Sequence, residues 1–582
     1  MQPDFGKVEH PRLPAQGNRA LLVVVNSVGS YWDYSIVEET VLCALDHFGL
    51  PYRVLDLCEE RLTPALLENC ACLLLAQSRV GAFLTKAENV LLAAAVREGM
   101  GLVSFDNDLR NYDGAYLELF GFEEINPHPF ASNLLRVREQ EHYVTAMQRP
   151  GEIHRFDAMV TALAVGKYRR DVVPLADCIL GKEQLVYIRH ITPWSAFEPR
   201  NWPAAFAARW GRGKAVQFTV SPRLWKRQFF GHVRGLDDLF WRSIVWCARK
   251  PFIANMIPPF VTMSFDDCSG RHDFRYVDAA SSRGYVPMPS LFLERVDERL
   301  FPRIREQQRA GKAEYNTHAV NYYDHMYHAY GRGPYTACEL DERFAREDAF
   351  WAGVGAPPTR TVRFHCGEMG VNALPYLKRR GRCFLNPALQ TGLLKADMCM
   401  ADGYYPYNLQ NCYYDYLPDD HWFFAFNSML ARFQEDFLGG ATVNLLESPV
   451  NDVKKAGQSL AFQISNGLRA GFHADVVTHE QKFENLSLTE WEAVLEEGDR
   501  LTAGMEKIMA GHDEIAAYLR NKDGVRLVSA AAKDGVAFVR LQGNTDVPLR
   551  LSVFTDCEEG IQREYLDVGP FGGVCSMEIN GG

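Results

Sequence analysis

The sequence predicts an α/β protein of several domains, and three observations carry that reading. Continuous apolar runs alternate with helical patterns from residue 20 to about 125, an apolar run at 261–265 ends on the acid pair Asp266-Asp267, and the last sixty or so residues alternate with period two. At 582 residues the chain is too long for one ordinary domain. Its 47% hydrophobic and 23% charged residues, without low-complexity tracts, describe a globular protein.

From the N-terminus, strands are expected at 20–25, 52–56, 71–76 and 101–105, with helices at 36–50 and 86–98 between them. Strands that are apolar throughout, separated by helices, imply a parallel sheet covered on both faces. From 126 to 255 the pattern shortens and becomes richer in strands, for example at 184–189 and 213–220, and closes with a helical spacing at 236–248. Asp237-Asp238 reads there as an exposed helix start. The segments 525–529, 535–542 and 547–554 predict a small antiparallel sheet or sandwich. The domain boundaries expected are thus 1–255, with an insertion at about 126–210, then 256–522, then 523–582.

Composition limits the partners. A net charge of −11 without a basic stripe lacks the footprint of a nucleic-acid binder, so an uncharged or cationic ligand is expected. No run approaches the roughly eighteen apolar residues of a membrane-spanning helix, so no membrane partner is expected. The first 25 residues show no export signal, which predicts a cytoplasmic protein, although a chain whose signal had been removed would read the same. The 14 cysteines are scattered without a Cys-x-x-Cys pair, and Cys70 and Cys72 read as buried free thiols. Assembly into a homo-oligomer is compatible with the sequence.

Two carboxylates at the exit of a buried strand, Asp266 and Asp267, place charge where a catalytic mouth would lie. Fifty residues on, Asn316-Thr317-His318 ends a second strand-like stretch. An acid pair alone also suits an ordinary turn or helix cap. A carboxylate pair ending one strand together with a histidine ending another suggests a metal site.

Read in order, residues 261–480 resemble the polysaccharide deacetylase family (NodB homology domain, similar to carbohydrate esterase family 4). The run 261–267 looks like its strand ending in Thr/Ser-Phe-Asp-Asp, with Cys268 where a Gly is usual. The resemblance implies that Asp266 is the general base and Asp267 a metal ligand. A helix at 300–311 and a strand ending at His318 match the second motif, making His318 a ligand. The family's second His, one helical turn later, is missing. Tyr322 stands there, and His325 and His328 lie two and almost three turns on. His325 is taken as the third ligand, while the stretch 322–328 reads equally well as the aromatic wall of a sugar cleft, with Tyr322 as a substrate contact.

The segment 358–381 resembles the family's Arg-led motif, in which Arg363 would hold Asp266 ionised. The usual Pro-Pro-Tyr is replaced by Phe364-His365-Cys366, which makes His365 a substrate contact or another ligand. The strand 474–480 resembles the last motif and gives His479 the role of general acid. Asp419-Asp420-His421-Trp422 is a loose counterpart of the fourth, with Trp422 as a substrate contact.

The resemblance implies a distorted (β/α) barrel, a divalent metal, Zn first among the candidates, and a carbohydrate substrate that loses an N- or O-acetyl group. Residues 20–125 and 213–248 in turn resemble the glutamine-amidotransferase-like, flavodoxin-type domain. The nucleophile elbow expected near 99–106 has no Cys, so that domain is expected to be non-catalytic. Two alternatives stay open. One is a glycosidase using Glu368, Asp415, Asp419 and Glu480, with aromatic stretches at 403–408 and 413–416 for sugar stacking. The other is a non-catalytic glycan-binding protein.

Overall fold

The computed structural model describes residues 15–29, 31–179, 201–225, 235–329, 332–367, 369–386, 412–414, 421–426, 438 and 452–580. The described residues form two compact units. One gathers those up to Met256 together with those from Gly524 onward, and the other holds those between Ile257 and Asp523.

In the first unit, five parallel strands run in the order Tyr52–Asp56, Leu21–Val25, Cys72–Leu75, Gly101–Ser104, Gly213–Phe218. The central ones are buried throughout, as their uninterrupted apolar sequence requires. Four antiparallel strands continue this sheet: Asn201–Trp210, Val173–Ile179, Phe130–Val137 and Ile153–Ala162. Cys70 and Cys72 are buried free thiols.

The helix Asp237–Cys247 packs on the sheet through Phe240, whose ring stacks 4.9 Å from Phe105. Asp237 and Asp238 are not an exposed helix start as expected. Both are fully buried, and Asp238 accepts a 2.5 Å hydrogen bond from Gln148 Nε2. A polar partner brought in from another segment, which local pattern does not report, makes burial of this acid tolerable.

The C-terminal strands Val525–Lys533, Val536–Thr545 and Phe571–Asn580 make one antiparallel sheet. Leu549–Cys557 and Gly560–Val568 make another with Phe252–Ala254.

In the second unit, parallel strands lie in the order Asn316–Ala319, Pro287–Phe292, Phe260–Cys268, Ala474–His479. A second sheet holds Thr361–Arg363, Phe384–Asn386 and Phe423–Ala425 in parallel, with Cys412–Tyr414 antiparallel at its edge. These strands do not close a barrel among the described residues. The strand Thr361–Arg363 is three residues long, and the Arg363 carbonyl oxygen is taken by side chains, Asn316 Nδ2 and His318 Nδ1, each at 2.9 Å. A side-chain seam therefore stands where a backbone ladder would join the two sheets. The result is a mixed α/β protein. No helix among the described residues is long and apolar enough to cross a membrane.

A Cβ added at Gly101 would meet the Cys247 carbonyl oxygen at 2.4 Å, and backbone cannot swing aside as a side chain can. Gly101→Ala is expected to cost about 1–3 kcal/mol. Urea unfolding would show this as a lowered midpoint, and an unchanged midpoint would mean that the helix end shifts freely.

Candidate metal centre

The site lies at the C-terminal ends of the parallel strands, where open α/β sheets leave side chains free of the core. Its geometry begins with a bulge. Phe265 pairs with Pro289, and the next ladder pair is Cys268 with Leu291, so the first strand carries one extra residue. Asp267 takes up that residue in the left-handed region, at φ 59°, a conformation Asp adopts more readily than most side chains. In a regular strand Asp266 and Asp267 would face opposite sides of the sheet. The bulge lets both serve one mouth.

Asp267, His318 and His365 are buried, and their ligand atoms lie within 4.8 Å of one another. Asp267 Oδ1 is 3.3 Å from His318 Nε2 and 3.1 Å from His365 Nδ1. Because His318 Nδ1 donates to the Arg363 carbonyl, a neutral ring turns the lone pair of Nε2 toward that carboxylate oxygen. Asp267 Oδ1 makes no hydrogen bond, whereas Oδ2 accepts one from Gln481 Nε2 at 2.8 Å. An acceptor nitrogen facing a carboxylate oxygen at this distance calls for positive charge between them. Burial pushes Asp267 up, but His318 and His365 outweigh it and hold the carboxyl well below the usual range. Burial would keep His365 neutral, yet Asp267 and Cys366 drive it up to about 10. One carboxylate and two imidazoles, with a second contact fixing His318, fit a divalent ion of the Zn type.

Beside this cluster, Asp266 Oδ1 accepts from Arg363 Nε at 2.6 Å. Burial raises the Asp266 carboxyl, and the charges of Arg363, His318 and His479 more than offset it, so it stays ionised. His479 is the cross-strand partner of Asp266, and both are partly accessible.

Arg363 Nη1 also donates to Asn386 Oδ1 at 2.7 Å and to Asp475 Oδ2 at 3.3 Å. Asp475 Oδ1 in turn accepts from Ser264 Oγ at 2.7 Å and lies 3.3 Å from His512 Nε2. Asp475 and His512 are fully buried, and neither was expected from the sequence. The signal was there: Asp475 and His479 are four residues apart on one strand and therefore share a face, as do Thr262, Ser264 and Asp266.

Other expected residues fare differently. His325 is brought back to the strand end by a turn, with Ala319 bridged to His325, and no helix spans this stretch. It lies against His365, ring centroids 4.7 Å apart, and does not join the Asp267–His318–His365 cluster. His365, read as a substrate contact or another ligand, is the third member of that cluster. Tyr322 borders the mouth, its ring 5.6 Å from that of His365. Trp422 is not brought to the site. It precedes its strand, at the opposite end of the sheet, and its Nε1 donates to the Arg382 carbonyl at 2.7 Å.

Glu480 is buried and fully engaged, accepting from the Ser269 backbone N–H, Ser269 Oγ, the Gly270 and Arg271 N–H groups and Tyr276 OH. Glu368, Asp415, Asp419, Asp420 and the aromatic stretch 403–408 lie outside the described residues, as does Tyr416.

No protein-family model and no curated protein matches the chain. Among solved structures, a family 4 carbohydrate esterase from Streptomyces lividans in complex with acetate aligns at 12% identity and TM-score 0.25, over 43% of this chain and 91% of that one. A beta-galactosidase from Bacillus circulans sp. alkalophilus aligns at 14% identity and TM-score 0.24, over 40% and 31%. A beta-galactosidase from Rahnella sp. R3 gives 14% and 0.23, over 36% and 29%. These are carbohydrate-processing hydrolases, and scores this low carry no argument about what this chain does.

Removing the Asp475 charge leaves the buried Arg363 with Asp266 as its one remaining carboxylate among the described residues, and weakens the acceptor that Ser264 and His512 face. Asp475→Asn is expected to cost about 3–5 kcal/mol of stability. Ser264→Ala, which removes one hydrogen bond, should cost about 1 kcal/mol. Chemical denaturation of the two variants tests this ordering, and equal losses would show that the charge adds nothing to the network.

Proposed function

We propose that the protein is a metal-dependent hydrolase that removes acetyl groups from an acetylated sugar or glycan. The observation that carries this reading is the Asp267–His318–His365 cluster set beside an Arg363-held Asp266 at the ends of parallel strands. The motif order from 261 to 480 supports it, and on this reading residues 256–522 are the catalytic domain. Residues 1–255 are then a non-catalytic amidotransferase-like domain, and 523–582 an accessory β domain.

Asp267, His318 and His365 would hold the ion. When bound, a divalent ion supplies Lewis acidity to an acetyl carbonyl and makes water a better nucleophile near neutral pH. The protein's own groups do the rest. Gln481 fixes the second oxygen of Asp267, and the Arg363 carbonyl fixes the ring of His318. Arg363 Nε occupies one oxygen of Asp266 and keeps the carboxylate ionised, so that it can accept a proton from the attacking water. His479, across the strand pair from Asp266, donates a proton to the departing nitrogen or oxygen as the carbon–nitrogen or carbon–oxygen bond breaks. Acetate and a free amine or hydroxyl result. Tyr322 at the mouth offers a face to a sugar ring.

Metal content and acetate release from acetylated amino sugars test this reading together. The wild type is expected to hold about one equivalent of Zn-type ion in this cluster. Asp267→Ala and His318→Ala should lose that ion and acetate release together. Asp266→Asn should keep the metal and lose about 10²–10⁴-fold in rate. A wild type that neither holds nor takes up a divalent ion would sink the proposal, as would acetate release indifferent to chelation.

A further inference from the structure

Next to the first cluster stands a second, made of His325, His365 and Cys366, whose ligand atoms also lie within 4.8 Å of one another. We propose that these three residues form a thiolate-containing metal subsite that shares His365 with the hydrolytic cluster and takes a soft or borderline divalent ion such as Zn²⁺ or Co²⁺. It goes beyond the deacetylase reading and does not depend on the acetyl chemistry.

His325 reaches this place by one route and the adjacent His365 and Cys366 by another. His325 is returned to the end of its strand by the turn that follows Ala319, closed by a 3.0 Å bond from the Val320 N–H to the Asp324 carbonyl. Its backbone is pinned by Tyr335 OH, which donates to the His325 carbonyl at 3.0 Å. His365 and Cys366 follow the strand Thr361–Arg363 directly. Cys366 sits at φ 55°, a left-handed conformation unfavourable for a side chain of its kind and one that clusters at functional sites. The two histidines are buried and the thiol is exposed, so an ion has an approach from solvent.

Zn–N and Zn–S bonds in a tetrahedral site hold their ligand atoms about 3.3–3.8 Å apart, so drawing these three together needs shifts of about 1 Å. The donor set decides the ion. Two imidazoles and a thiolate favour Zn²⁺ or Co²⁺ over the oxygen-seeking Mg²⁺ and Ca²⁺. Asp267 and His318 are not members, so this subsite is chemically distinct from its neighbour even though one ring serves both. On binding, the Cys366 Sγ–H proton and a ring proton of His365 are released to solvent, and the sulfur and imidazole lone pairs go to the ion.

Cobalt titration of the metal-free full-length protein tests this through the near-ultraviolet charge-transfer absorption that thiolate gives when bound to Co²⁺. The band is expected in the wild type and in Asp267→Ala, to be abolished in Cys366→Ser, and to persist in Cys338→Ser, which removes another exposed thiol. The absence of the band in the wild type at saturating Co²⁺ overturns the proposal, and so does its survival in Cys366→Ser or its loss in Asp267→Ala. Acetate release is not the readout, so failure of the hydrolase reading leaves this result interpretable.

Discussion

One buried guanidinium holds the second unit's site together. Arg363 donates to Asp266 on one strand, to Asp475 on the next and to Asn386 on a third, while its carbonyl oxygen accepts from Asn316 and His318 on a fourth. A single residue therefore ties the ends of four strands that come from both sheets. The arrangement is costly in isolation, since a buried ion pair recovers its desolvation only when every remaining donor and acceptor is satisfied. Here Asp475 has Ser264 and His512 on its other oxygen, and His512 has Thr262 on its second nitrogen. The satisfaction runs from the core to the mouth, which is why one carboxylate at the surface can be held in a fixed orientation.

The bulge at Asp267 divides the labour between two neighbouring acids. Asp266 remains in register, is paired with a permanent cation, and has a cross-strand histidine beside it. Asp267, in the left-handed conformation, leaves that register and meets His318 and His365 instead. Adjacent like charges would ordinarily raise one another's pKa. Burial raises both as well, but Arg363 beside Asp266 and the imidazoles of His318 and His365 beside Asp267 offset that conflict and hold both carboxyls below the usual range.

How much of this was legible in the sequence can be judged from particular residues. Asp266, Asp267 and His318 stood out as residues ending strand-like runs, and Arg363 and His479 were named through the resemblance to the deacetylase family. The structure brings Asp266 within reach of Arg363 and His479, and Asp267 within reach of His318. Residues 261–265 were read as an apolar run, but Val261, Met263 and Phe265 alternate with Thr262, Ser264 and Asp266. That alternation marks a polar inner face, and it would have exposed the Ser264–Asp475–His512 network. His325 and His365 were harder to place. The family's second histidine, one helical turn after His318, is missing from the sequence; the chain makes a tight turn there, and the third member of the cluster, His365, follows a different strand. Trp422 and the Asp237-Asp238 pair failed for a common reason, since what each side chain touches is set by segments far away in sequence, on which local pattern is silent.

Of the acids named for a glycosidase, Glu368, Asp415 and Asp419 lie outside the described residues, and the described carboxylates around the mouth can be set against what such an enzyme needs. A glycosidase working through paired acids needs two carboxyl groups about 5–9.5 Å apart, one of them protonated and free to give up its proton. Asp266 is held ionised by Arg363, and Asp267 faces two imidazoles and Gln481. Asp475 is sealed in the core, and both oxygens of Glu480 accept hydrogen bonds from the loop 269–271 and Tyr276. Burial raises Asp266, Asp267 and Asp475, but the cationic groups beside them hold each below the usual carboxylate range, and the oxygens of Glu480 are occupied. Asp266 and Asp267 carry negative charge in fixed positions at the mouth, which suits gathering a cation and accepting a proton. On the deacetylase reading proposed above, the leaving group's proton would come from His479, which stands across the strand pair from Asp266.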